Sequence, residues 1–217
     1  TSTDPYAVHG STSDMLYAFR DSMNTQGYNG RLAHLFSGRG VGGGIAWLNV
    51  LCSNYSPYGV SGNLNSGQTT YNTYVWNIAV VAHEIGHNFG SPHTHDCSWN
   101  GNNSQIDDCG NVYFYNRDNT YSTSCFDNDN RIMPGNQGTI MSYCHVVGGN
   151  SINLNLGFHP QVRDLIFSRY LNSTCGGDEA CVGVAPANDL CEDAIRLNPT
   201  INCNPIEFDN EYAMESG

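Results

Sequence analysis

The segment at residues 83–93 constrains the fold of this chain more than any other part. It reads His-Glu-Ile-Gly-His-Asn-Phe-Gly-Ser-Pro-His, an H-E-x-x-H-x-x-G-x-x-H pattern. Residues four apart lie on one face of a helix, so the imidazoles of His83 and His87 can hold one metal ion together. Gly90 tolerates the left-handed conformation found at helix ends, so the chain can turn there and bring in His93. The pattern predicts a helix that carries a metal site.

Three histidine ligands predict a catalytic zinc site, because they leave one coordination position open for water. Glu84 directly follows His83, and we expect it to act on that water as a general base. Bound zinc lowers the pKa of water and polarises a carbonyl group, so the predicted reaction is hydrolysis. The alternative is a buried helix whose histidines only form hydrogen bonds. The fixed spacing of the whole pattern argues against it.

The motif resembles the zinc-binding sequence of the metzincin metallopeptidases. Metzincins also carry a methionine turn downstream. Residues 138–143, Gly-Thr-Ile-Met-Ser-Tyr, are similar to it, with Met141 expected beneath the metal. The sequence of residues 83–93 is most similar to that of the adamalysin (reprolysin) branch, and closer still to that of its secreted bacterial members. The resemblance covers about residues 1–175.

This resemblance implies an α+β fold with an α/β-like N-terminal part. A mixed, twisted sheet would place an edge strand over the cleft, beside the active-site helix. An irregular, disulfide-rich C-terminal subdomain would hold the methionine turn and a closing helix. We expect residues 1–175 to form the catalytic domain, without the N-terminal strand and long helix of typical members. Residues 176–187 read as a linker, and residues 188–217 as the start of an appended extracellular module.

Hydrophobic spacing and turn residues predict the individual elements. Leu16, Phe19 and Met23 fall at helical spacing. Ser13 suits an N-cap, so a helix is predicted over 14–24. The other predicted elements are strands at 31–36, 45–51 and 58–61, the active-site helix at 74–89, an irregular segment at 94–138 and a closing helix from Pro160 to near residue 175.

Composition indicates an exported protein. The formal net charge is -12 and the chain contains no lysine, which argues against nucleic acid or anionic membranes as partners. Its nine cysteines include no C-x-x-C pair, a usage typical of disulfides in an oxidising compartment. There is neither a signal peptide nor an apolar run long enough for membrane insertion. We therefore expect a secreted, mature fragment.

The pairing of these cysteines cannot be derived from the sequence. The resemblance implies a bridge from Cys52 to Cys175. It also implies two bridges near the active site among Cys97, Cys109, Cys125 and Cys144. In the appended module, Cys191 and Cys203 would pair and Cys181 would be left over.

Some residues leave alternatives open. Adamalysins have an aspartate directly after the third histidine, whereas Asp96 comes two places later here, and His95 is a rival ligand. Tyr143 resembles a tyrosine that binds zinc or stabilises the oxyanion in the astacin and serralysin branches. We therefore predict that its hydroxyl faces the site, with packing beside the turn as the alternative. Residues 127–131, Asp-Asn-Asp-Asn-Arg, allow a Ca²⁺ site, but they do not match the EF-hand pattern and a solvated loop is the favoured interpretation.

The function implied is that of a secreted zinc endopeptidase acting on proteins or peptides. His83, His87 and His93 would bind one zinc ion, while Glu84 would activate the water bound to it. An inhibitory propeptide outside this chain is a further partner that the resemblance allows. The alternative is a catalytically inactive or narrowly specific metzincin that serves as a binding, adhesion or processing module.

Overall fold

A computed structural model of the chain describes residues 6, 8–64, 75–118 and 123–175. Its elements confirm the predicted α+β class. The helices are α1 (Thr12–Thr25), α2 (Trp76–Asn88), α3 (Cys109–Asp118) and α4 (Pro160–Leu171). The strands are β1 (Ala33–Phe36), β2 (Gly44–Ala46) and β3 (Tyr58–Ser61). Short 3-10 turns cover Gly135–Gln137, Cys144–Val146 and Leu154–Leu156.

The three strands form a small mixed sheet in the order β1-β3-β2. β3 pairs in parallel with β1, with Ala33 opposite Tyr58, and antiparallel with β2, with Gly44 opposite Ser61. Helix α1 packs against this sheet. The buried side chains between them are Met15, Leu16, Phe19, Val41, Tyr58 and Val60. The sheet is thus held by an apolar layer on one side, which fixes the position of β2 at its edge.

Strand β2 is shorter than the predicted strand at 45–51. It ends at Ala46, and Asn49 has a positive φ of 57° that breaks the extended conformation. The backbone N–H of Asn49 then donates to the carbonyl of His87, and that of Val50 donates to the carbonyl of Asn88, both at 2.9 Å. The strand prediction failed beyond Ala46 because these residues satisfy the free carbonyl groups at the end of α2.

One helix boundary agrees with the prediction and the others differ by one to four residues; the active-site helix α2, predicted at 74–89, covers Trp76–Asn88. Helix α1 begins earlier, because Ser11 rather than Ser13 is its N-cap and accepts a hydrogen bond from the Asp14 backbone N–H at 3.1 Å. Helix α4 starts at Pro160 as predicted, and the His159 side chain caps it. It ends at Leu171, short of the predicted end.

Helix α3 corrects the prediction of an irregular segment at 94–138. Its buried side consists of Cys109, Gly110, Asn111 and Val112, so no apolar stripe marks it in the sequence. Tertiary contacts stabilise it instead. The Asp107 carboxylate accepts the N–H of Cys109 at 2.9 Å. The amide nitrogen of Asn111 donates to the carbonyl of His95 at 3.2 Å.

Three disulfides hold the part of the chain that the structure describes. They are Cys52–Cys175, Cys97–Cys125 and Cys109–Cys144. The first is the pair expected from the resemblance, and the other two are the expected two bridges among four cysteines, whose pairing the sequence left open. By its internal contacts the chain consists of two units, and the boundary between them lies after Cys175. The predicted linker and appended module, with their cysteines, lie outside the described residues. No described helix has the length and apolar character needed to cross a membrane.

Candidate metal centre

Helix α2 and the turn after it bring three histidines together. His83 and His87 lie one turn apart on α2. Gly90, with a φ of 94°, reverses the chain so that His93 returns to them. One ring nitrogen from each of the three histidines lies within 4.8 Å of the others, and the Nε2 atoms of His87 and His93 are 3.1 Å apart. The predicted ligands therefore converge on one point.

Backbone carbonyl groups orient the two helical histidines. Nδ1 of His83 is 2.8 Å from the carbonyl oxygen of Ile140, and Nδ1 of His87 is 2.7 Å from that of Ser91. A carbonyl oxygen can only accept, so each Nδ1 carries the hydrogen. Each Nε2 then keeps its lone pair for a metal ion, which is how histidine ligands are commonly held in metal sites.

Asp96 holds the backbone of the third histidine. Its Oδ2 atom accepts the backbone N–H of His93 at 2.9 Å and lies 3.7 Å from Nδ1 of the same residue. Although Asp96 comes two places later than in adamalysins, it still contacts the third histidine.

Burial keeps these histidines in the neutral form that binds metal. Burial, and then the neighbouring His87, lowers the pKa of His83 to about 3. Burial also lowers the pKa of His87. It lowers the pKa of His93 well below its ordinary value, with the other histidines adding to the effect. Three neutral imidazoles with oriented Nε2 atoms suit a zinc ion.

Glu84 is buried against the edge strand. Its side chain lies so close to Gly44 that a Cβ atom there would be 2.4 Å from both Cγ and Oε1 of the carboxyl side chain. Burial raises the pKa of Glu84 to about 8. The carboxyl group is therefore next to the first histidine, in a place where it can hold or release a proton near neutral pH.

The methionine turn packs under α2. Met141 is fully buried, and a Cβ atom at Gly86 would lie 2.6 Å from its Sδ. Its carbonyl oxygen accepts hydrogen bonds from the backbone N–H of Thr94 at 3.2 Å and from the Thr94 hydroxyl at 3.3 Å. Met141 thus contacts both Gly86, which lies between the first two histidines, and Thr94, which follows the third.

Comparison with known families agrees with this geometry. The reprolysin profile of metallo-peptidase family M12 matches residues 1–154, which include the three histidines, Glu84 and the methionine turn. The chain belongs to metallo-peptidase family M12. No curated protein matches the chain closely enough to be reported as a relative. Peptidases of family M12 are zinc-dependent, and this member carries a group of three histidines suited to that metal.

The cleft of this M12 peptidase runs between β2 and the histidines. A cavity of about 340 Å³ lies beside the site, and its lining includes Trp76, Val80, Glu84, Ile140, Tyr143 and His145. A second hollow follows β2 past the histidines, with Gly44, Ile45, Ala46 and Leu48 along one side. Within the described residues, β2 pairs with a strand on one side only. This confirms the expected edge strand beside the cleft.

Tyr143 lies where the M12 peptidase brings its histidines together. The centroid of its ring is 4.8 Å from that of His93 and 6.0 Å from that of His83. Burial, with a contribution from Glu84, raises the pKa of Tyr143 to about 12. The hydroxyl therefore stays protonated and able to donate a hydrogen bond. Its catalytic role remains a prediction.

The structure does not support the two alternative ion sites. His95 stacks on His93 and does not belong to the group of three converging histidines. It forms a second donor group with His93 and Asp96, but this group shares His93 and offers no independent site. In the calcium candidate, the two carboxylate oxygens of Asp127 accept hydrogen bonds from Asp129 and Asn130 of the same loop.

Sequence reasoning missed two residues that shape the site. Gly44 leaves space for Glu84, but it reads as the last glycine of a flexible run. The buried Asn88 donates to the carbonyl oxygens of Trp47 at 3.0 Å and Tyr58 at 3.1 Å, which ties the end of α2 to the sheet. Asn88 lies at a variable position of the motif, so no sequence signal marks it.

Proposed function

We propose that this chain is a secreted zinc-dependent endopeptidase in which His83, His87 and His93 bind the zinc ion. One observation carries the proposal. The ring nitrogens of the three histidines converge within 4.8 Å, while carbonyl groups hold Nδ1 of the two helical ones. Three nitrogen donors leave the fourth coordination position of zinc open for water or substrate. This open position distinguishes a catalytic zinc site from a structural one, which has four protein ligands.

When bound, zinc supplies a Lewis acid that polarises the substrate carbonyl and acidifies water. Glu84 supplies the proton transfers. As a carboxylate it accepts a proton from the attacking water, and as a carboxylic acid it delivers that proton to the leaving amine. Burial raises its pKa to about 8 and favours the acid, whereas the positive charge of a zinc ion held by the adjacent histidines would favour the carboxylate. Both forms are therefore accessible near neutral pH.

Cleavage within a chain, rather than at its ends, follows from the open cleft. An extended peptide can add to the free edge of β2 as a further strand, because that edge offers backbone donors and acceptors. The substrate then continues past the histidines in both directions. The cavity of about 340 Å³ receives the side chain that follows the cleaved bond.

The remaining roles belong to the same proposal. Met141 supports the floor of the metal site, and the Tyr143 hydroxyl stabilises the developing oxyanion by donating a hydrogen bond. Three disulfides in the described residues fit an oxidising, extracellular destination. Residues 1–175 form the catalytic domain, followed by a linker at 176–187 and an appended module at 188–217.

The test is hydrolysis of casein by the wild-type chain and by Glu84→Gln, with zinc content measured on both. Glutamine keeps the shape of Glu84 but cannot accept the proton. We expect one zinc ion per chain in both proteins and cleavage within casein by the wild type only. Zinc binding without cleavage by either protein would favour an inactive or narrowly specific binding module. Equal cleavage by both would contradict the role of Glu84.

A further inference from the structure

His95 occupies an unusual position beneath the third histidine. It is 2% exposed, and its ring stacks on that of His93 with centroids 4.8 Å apart and planes inclined by 14°. The chain departs from the adamalysin pattern at this point, where two residues separate His93 from Asp96. The extra residues turn a second imidazole inward, so that one histidine ring supports the other.

Helix α3 supplies the other side of the space that His95 fills. A Cβ atom at Gly110 would lie 2.1 Å from Nδ1 and 2.2 Å from Cε1 of the His95 ring. Only a glycine therefore allows the ring to sit against the helix. The neighbouring Asn111 donates a hydrogen bond to the His95 carbonyl at 3.2 Å. The His95 ring is consequently enclosed between α3 and His93.

Packing, rather than hydrogen bonding, holds this ring. Nδ1 of His95 is buried and has no hydrogen-bond partner among the described residues. Its other neighbours are aromatic, with the ring centroid of Tyr143 at 5.2 Å and that of Phe114 at 6.2 Å. Burying an imidazole nitrogen without a hydrogen-bond partner costs free energy, so such a group in a folded protein calls for an explanation. The stacked contact with His93 is the explanation that the geometry offers.

We propose that His95 is a positioning residue, which fixes the orientation of the His93 ring and thereby strengthens zinc binding. The inference rests on the proposed role of His93 as a zinc ligand. His83 and His87 each have a carbonyl oxygen close to Nδ1, whereas Nδ1 of His93 is 3.7 Å from Asp96, too far for a strong hydrogen bond. Stacking on His95 supplies the missing constraint on the third ring.

This arrangement also connects the metal centre to the disulfide-bonded part of the domain. Gly110 follows Cys109, which is bonded to Cys144, and Cys144 follows Tyr143. Helix α3 is thereby anchored to the segment that carries Tyr143. Helix α3 packs against His95, and His95 packs against His93. The helix therefore supports the metal centre although it has no apolar stripe.

The test compares zinc affinity with the stability of the metal-free protein. The dissociation constant is measured on the full chain by competition with a chromogenic chelator, and urea unfolding is measured after metal removal. Residues that orient metal ligands typically change metal affinity by about 10-fold to 100-fold. We expect His95→Ala to weaken zinc binding by at least about 10-fold. His95→Phe retains a flat ring and should restore most of the affinity.

His34→Ala is the matched control. His34 is a half-buried histidine whose Nδ1 is likewise buried without a hydrogen-bond partner, but its Nε2 bonds the Ser61 hydroxyl in the sheet at 2.9 Å. This variant should destabilise the metal-free protein without changing zinc affinity. If His95→Ala behaves in the same way, then His95 is only a packing residue and the inference is wrong. If the wild type binds no zinc, the metal assignment itself fails.

Gly110→Ala changes the other partner in the contact between α3 and the His95 ring, and it leaves the imidazole in place. Its new methyl group must displace the His95 ring, so zinc affinity should fall. In the His95→Ala background the methyl group enters the vacated space, and the added effect of Gly110→Ala on zinc affinity should disappear. Equal effects of Gly110→Ala in both backgrounds would contradict the proposed contact.

Discussion

Gly44→Ala should impair catalysis without loss of metal. The new Cβ atom would lie 2.4 Å from Cγ and Oε1 of Glu84 and 2.6 Å from Cδ. Ordinary contact between such atoms requires about 3.5 Å, so the carboxyl group must move by about 1 Å. Glu84 is 5% exposed and can move only within a packed site. A misplacement of about 1 Å can cost about 100-fold in rate, equivalent to about 2.7 kcal/mol of activation free energy.

The assay measures kcat and KM with a fluorogenic peptide, together with zinc content and thermal unfolding. We expect kcat to fall by about 100-fold, with one zinc ion retained. The melting temperature should stay within a few degrees, because alanine is favoured over glycine in a strand. Gly40→Ala is the control, since a Cβ there has its nearest neighbour at 3.9 Å. An unchanged kcat in Gly44→Ala would refute the proposed proximity of the strand to the base.

Three further outcomes follow from the same contacts. Gly86→Ala forces a Cβ to within 2.6 Å of the Met141 sulfur and should lower the free energy of unfolding by about 1–3 kcal/mol in a urea titration. Tyr143→Phe should reduce kcat by about 100-fold, with zinc content unchanged, if its hydroxyl stabilises the oxyanion. Burial lowers the pKa of His83 to about 3 and that of His95 to about 4, below the ordinary 6.5. As the pH falls from 6.5 towards 4, the unfolded chain therefore binds more protons, and urea unfolding of the metal-free protein should show a progressive loss of stability, on the order of 1 kcal/mol per pH unit for each of these histidines.

Local sequence patterns were sufficient to predict the structure wherever a residue acts through its own backbone or its near neighbours in the chain. Pro160 starts α4 because its fixed φ suits the first turn of a helix. Gly90 allows the reversal that returns His93, and its φ of 94° is one that other residues rarely adopt. The spacing of His83 and His87 was enough to predict that their rings would lie together on one face of the helix.

Local rules failed where distant segments compete for the same groups. The strand predicted at 45–51 stops at Ala46, because Asn49 and its neighbours bond the last carbonyls of α2. Helix α3 has no hydrophobic pattern in the sequence, because its buried face combines a single aliphatic residue, Val112, with glycine, asparagine and a disulfide. Neither the end of β2 nor the position of α3 can be predicted until the distant segments that contact them are known.

The sequence by itself determined which groups this protein brings to its candidate metal centre. The type and spacing of residues 83–93 specify three nitrogen donors and a carboxylate, because helix geometry converts a four-residue interval into adjacency. Only the tertiary structure decided how those groups are supported. The Glu84 carboxyl group packs against Gly44 and the His93 ring packs against His95, which in turn rests on Gly110. The physical reason is that the space available to a side chain is set by segments remote in sequence, and that space decides the orientation of each ligand.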